Sequence, residues 1–191
     1  MAILTIRPNK DTWVDAESPS TAQGSVDGLI AAISYGTKRN ILMEYTLPAS
    51  LGTITRIDFK GTEKGAYGAG TIFGLYNTAN DSWAEATATW NSDEFNFTGS
   101  VIVSKTSDGV LNEKTWNLYG GAAVNPITPT WDAVLGLCIK PDGSGAGWKG
   151  FYFYADESDV AADLKPRLEV TYTPAGGSPA QAARRGVIMM M

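Results

Sequence analysis

The sequence predicts an all-β domain, a sandwich or a barrel, and three observations carry that reading. Short runs rich in Val, Ile, Thr and aromatic residues recur between clusters of Gly, Asn, Asp and Pro. Several of these runs alternate apolar and polar side chains with a two-residue period. No helical segments intervene between them, which sets aside architectures built from βαβ units.

Eleven strands are expected in order. Residues 3–6 and 13–14 open the chain, the first aliphatic and the second a Trp-Val pair. The run 29–35 is short and lies between Gly28 and Gly36, so it reads as a strand although it also resembles a helical turn. Residues 40–45 follow. In 53–59, Thr55, Ile57 and Phe59 oppose Ile54, Arg56 and Asp58. The runs 71–76, 101–104, 115–118 and 134–139 repeat the β-branched and aromatic texture. Residues 151–155 place Phe151 and Phe153 inward and Tyr152 and Tyr154 outward. In 168–173, Leu168, Val170 and Tyr172 alternate with Glu169, Thr171 and Thr173.

Between the sixth and seventh strands lies Trp83–Asn91, which holds two of the six tryptophans. In an unbroken strand Trp83 and Trp90, seven residues apart, would point to opposite faces. The segment therefore either bends between them or exposes one indole.

A chain of 191 residues fits one domain with an extension, and at this size folding buries roughly 70% of the unfolded surface. The domain is expected over 1–173. Residues 174–191 begin as a Gly/Pro/Ser linker and end in the apolar run Val187, Ile188, Met189, Met190, Met191. This arm, with the Arg184-Arg185 pair, reads either as a frayed end or as an assembly element that docks on a partner subunit.

The net charge of −5 and the scattered basic residues argue against a nucleic-acid partner. No apolar run suggests a membrane span or a signal peptide. The single cysteine, Cys138, reads as a small buried hydrophobe. The chain has no histidine, which removes the Ser–His–Asp and Cys–His arrangements and histidine metal sites. Carboxylate-based hydrolysis survives in principle, but Asp93-Glu94 and Asp156-Glu157 are too close in sequence to flank a scissile bond. No cofactor is expected.

Several segments together resemble the DNRLRE-type β-sandwich modules, relatives of the alginate-binding carbohydrate-binding modules. They are Asp11–Asp15, Arg39–Pro48, Trp83–Asn91 with its Glu85 and Trp90, Gly136–Lys140 and Lys165–Tyr172. The sequence departs from the family near Tyr154–Ser158, where a Ser-Arg-Glu is common and the arginine is absent here. The resemblance implies a two-sheet jelly-roll-like β-sandwich without catalysis, found in surface proteins and phage particles. The fold expected is that sandwich with a C-terminal extended arm.

Two groups of residues are candidate ligand contacts. Trp148 sits in a glycine-rich loop, and Tyr152 and Tyr154 lie on the outward face of the strand that follows. Trp83 and Glu85, with Trp90, form the second group, whose alternative role is to plug one end of the sandwich. Asp11, Asp15 and Asp27 offer oxygens to calcium, but no dense Asp/Asn/Gly loop accompanies them, so they read as solvated turn carboxylates and no metal site is expected. The function expected first is a non-enzymatic virion structural protein, a phage capsid decoration, head-fibre or tail-surface protein that docks on the particle and displays the sandwich. It would form a homo-oligomer and dock on other virion proteins at the particle surface. The alternative is a carbohydrate-binding or adhesion module for surface glycans.

Overall fold

The computed structural model describes residues 1–24, 27–78, 83–91, 100–142 and 147–175. Eleven strands form in these residues: β1 (Ala2–Ile6), β2 (Lys10–Asp15), β3 (Gly28–Ser34), β4 (Thr37–Thr46), β5 (Gly52–Ala66), β6 (Ile72–Thr78), β7 (Val103–Thr106), β8 (Glu113–Tyr119), β9 (Val134–Asp142), β10 (Lys149–Tyr154) and β11 (Arg167–Pro174). A single 3-10 turn, Ala162–Leu164, is the only helical element among the described residues, so no helix is long and apolar enough to cross a membrane.

The hydrogen-bonded path runs β1-β11-β5-β10-β3-β4-β9-β6-β7, with β8 added to β5 and β2 added to β4. All pairings between these strands are antiparallel. One sheet holds β1, β11, β5 and β8; the other is built on β4, β9 and β6. The long β5 joins them, because its first half pairs with β11 and its end pairs with β10. The β3–β4 hairpin turns through Tyr35 and Gly36, both at positive φ (49° and 89°), as a two-residue hairpin loop requires. The all-β sandwich expected from the sequence is the fold observed.

Two faces of these sheets enclose the main core. Phe59, Trp116, Leu168 and Val170 meet Ile41, Met43, Phe73, Leu137 and Phe151, all fully buried or nearly so. Trp116 is its hub, with ring centroids 5.2 Å from Phe151, 5.5 Å from Phe59 and 5.7 Å from Phe153. The alternation expected in β5 is broken once. The register against β11 shifts between Thr171 and Tyr172, which leaves Thr55 without a paired position. That bulge lets Ile54 and Ile57, three residues apart, both enter the core.

A smaller second core lies on the other side of β4 and β9. Val14, Leu42 and Cys138 are covered there by Trp83 and Ala88, with Trp90 packed against the cluster. The chain bends between the two indoles: the Thr87 and Ala88 N–H groups both donate to the Ala84 carbonyl, at 3.0 and 2.9 Å. The bend is what allows both tryptophans to reach one surface. Arg184, Arg185, Val187, Ile188 and Met189, the expected assembly residues, lie outside the described residues.

Candidate functional site

Strand alternation in β10 puts Phe151 and Phe153 in the core and leaves Tyr152 and Tyr154 half-buried on the opposite face. Tyr152 crosses its neighbours because both present glycine to it. A Cβ on Gly28 of β3 would lie 2.3 Å from Tyr152 Cε2, and one on Gly65 of β5 would lie 2.8 Å from its Cδ1. The two glycines therefore seat the ring.

Tyr67, one residue beyond β5, continues the surface. Its ring lies 5.8 Å from that of Tyr152 with planes 19° apart, and 5.6 Å from that of Trp148 with planes 28° apart. Trp148, just ahead of β10, is 43% exposed. The Arg39 guanidinium sits 4.2 Å from the Trp148 ring centroid and 5.4 Å from that of Trp13. At the other end, Lys64 Nζ lies 5.6 Å from the Tyr152 centroid and 5.9 Å from that of Tyr154. The result is a strip of near-parallel rings with a cation at each end.

Both cations are paired. Arg39 contacts Asp15 at 2.9 Å and Glu17 at 3.4 Å. Lys64 pairs with the Asp27 carboxylate and donates to its carbonyl at 2.8 Å. Hydrogen bonding to Lys64, then to Ser158, holds the Asp27 carboxyl below its usual range. Burial, followed by the nearby Tyr152, raises the Tyr67 phenol, which stays a hydroxyl donor at neutral pH. The strip can cover apolar faces of a ligand while its rim supplies both donors and acceptors.

Of the five expected ligand residues, Trp148, Tyr152 and Tyr154 thus share one surface. Trp83 and Glu85 occupy structural positions instead. Trp83 is 2% exposed, so it has no open ring face, and Glu85 Oε1 accepts the Asp11 backbone N–H at 2.7 Å. Tyr67, Arg39 and Lys64 were not anticipated. The Tyr67 signal in the sequence is faint, a lone aromatic within a glycine-rich stretch.

Two other features were also unforeseen. A cleft of about 310 Å³ is lined by Lys38, Asn40, Tyr76, Trp90, Lys140 and Asp142, with Lys140 Nζ 4.2 Å above the Tyr76 ring. The three aspartates considered together for calcium do not meet as a set, because Asp15 pairs with Arg39 and Asp27 with Lys64. Asp11 instead approaches Glu85 and Glu157. Burial first, and then the charge of Glu157, pushes the Asp11 carboxyl up to about 8. Cys138 is buried and its thiol is pushed well up by that burial, which makes it the inert hydrophobe expected.

A search of curated proteins finds no match to the chain. The family model described as carbohydrate-binding module family 96 matches residues 2–110, from the start of β1 to just before β8. That span includes Arg39, Lys64 and Tyr67, while Trp148, Tyr152 and Tyr154 lie beyond it. The match covers more than half of the 191 residues, and its kind agrees with the sandwich and its aromatic strip: the chain belongs to carbohydrate-binding module family 96.

Proposed function

We propose that this chain is a non-catalytic carbohydrate-binding module that holds a polysaccharide along Trp148, Tyr67, Tyr152 and Tyr154. The observation that carries the reading is the pair of near-parallel ring contacts centred on Tyr67. Sugar rings present flat C–H faces, and covering them with aromatic surface yields about 25 cal/mol per Å² of apolar area removed from water. The Arg39–Asp15 and Lys64–Asp27 pairs then offer donors and acceptors to the hydroxyls at the edges. Because each cation already faces a carboxylate, the strip carries little net positive charge. A neutral polysaccharide fits it better than a polyanion.

Family membership ranks this reading above the virion role that leads from the sequence. The two are compatible, since a module displayed at a cell or particle surface grips glycans there by the same strip. Affinity electrophoresis in gels containing neutral or uronate polysaccharides tests the reading. Trp148 is exposed, so Trp148→Ala leaves the fold intact, and retardation by at least one neutral polysaccharide should fall about tenfold, or ~1.4 kcal/mol. Weak salt dependence is expected as well. Undiminished retardation of the Trp148→Ala variant would move the binding site elsewhere.

A further inference from the structure

We propose that Asp11, Glu85 and Glu157 form a binding site for a hard divalent cation, calcium. One carboxylate oxygen from each residue lies within 4.8 Å of the other two. Calcium–oxygen distances of about 2.4 Å place ligands on opposite sides of the ion about 4.8 Å apart, so the three oxygens fit one coordination sphere.

The independent observation is at Asp11, which is 1% exposed. Its Oδ2 accepts the Asp156 backbone N–H at 2.8 Å, but its Oδ1 is fully buried with no hydrogen-bond donor among the described residues. A buried carboxyl oxygen without a hydrogen-bond partner is costly, and such atoms call for an explanation. Among the described residues no ion pair reaches Asp11 or Glu157. The neighbouring lysines are engaged elsewhere: Lys10 with Glu44 at 2.9 Å, and Lys165 with the Asp156 carbonyl.

The supports are ordered as a binding site requires. Asp11 is fixed in β2, and its N–H ties it to Glu85 in the Trp83 cap. Glu157 lies in the turn after β10, where the Ala155 N–H donates to Ser158 Oγ at 3.0 Å and that hydroxyl donates to the Asp27 carbonyl at 2.8 Å. Glu157 is exposed, which gives the ion a way in. An all-carboxylate donor set, in a chain without histidine, suits calcium and not the softer transition metals. Water and backbone carbonyls complete the six or more ligands calcium takes. The bound ion would clamp β2, the Trp83 cap and the β10–β11 connection together, independently of any sugar.

The test is calorimetric titration of the full chain with CaCl2 after EDTA treatment, paired with thermal melts. One calcium per chain and a Tm rise of several degrees are expected, with MgCl2 much weaker. Glu157→Gln alters an exposed turn residue and should keep the fold while weakening calcium at least tenfold. Absence of both heat and Tm shift up to millimolar CaCl2 would overturn the proposal. So would a Glu157→Gln variant that binds calcium as tightly as the wild type.

Discussion

Trp83 and Trp148 are the same residue type in opposite roles, and their surroundings decide which role each takes. Trp83 closes the second core over Leu42 and Cys138, whereas Trp148 stands 43% exposed between Tyr67 and Arg39. Truncating Trp83 to alanine removes a buried indole and leaves a void that the sheet beneath cannot fill. A loss of about 3–5 kcal/mol in urea unfolding is expected, with polysaccharide affinity of the folded fraction unchanged. A variant of full stability that no longer binds sugar would instead make Trp83 a ligand residue. Composition alone does not separate these cases. The threonines and small residues around Trp83 allow the bend that buries it, whereas Trp148 follows Gly147, at a positive φ of 79°, and stays at the surface.

At the scale of elements, β10 was legible from its alternation, because Phe151 and Phe153 against Tyr152 and Tyr154 follows from the strand period alone. The strip's other half was not. The sequence pattern of β5 fades at Phe59, yet the strand runs on to Ala66, and that extension brings Gly65 under Tyr152 and Tyr67 beside it. Pairing with a strand some ninety residues later leaves no local mark. Gly28→Ala tests the seat that β3 and β5 make for Tyr152. The new methyl forces the ring off the sheet, so affinity should fall as far as in Tyr152→Ala, with a stability cost of no more than about 1–2 kcal/mol. Across β8, β5 and β11, charges form a second kind of seam. Burial pushes the Glu169 carboxyl up, but its hydrogen bond to Lys60 at 2.9 Å, then Arg167, outweighs burial and holds it below its usual value of 4.5. A depressed folded value means the stabilisation is present above the unfolded value and is lost as pH falls through the folded one. Tm should therefore decline below about pH 4.5. Glu169→Gln should flatten part of that decline while lowering Tm slightly at neutral pH, since partly exposed pairs contribute about 1 kcal/mol or less.

For the molecule as a whole, the sheet order explains how the sandwich closes. β1 pairs with β11 through five residue pairs, and β11 pairs in turn with β5, so the first and last strands of the sandwich are neighbours. Among the described residues the last backbone link is the Ala175 N–H donating to the Leu51 carbonyl at 3.1 Å. Most of the eleven strands of the described residues were readable from an apolar face or a β-branched run, whereas β2 and the short β7 were each met by only two residues of the expected runs. Their order in space was not readable, because it depends on pairings such as β4 with β9, set by which faces meet in the core. β11, the last strand among the described residues, ends at Pro174. A chain cut after Ala175 keeps every strand pairing of the described residues and the whole aromatic strip. Its Tm and its retardation by polysaccharide should match those of the full chain. Light scattering on the two forms then isolates the arm: the apolar run Val187–Met191 predicts a discrete oligomer for the full chain and a monomer after the cut. Monomers in both forms would remove the arm from assembly, while a lower Tm in the shortened form would make it part of the fold.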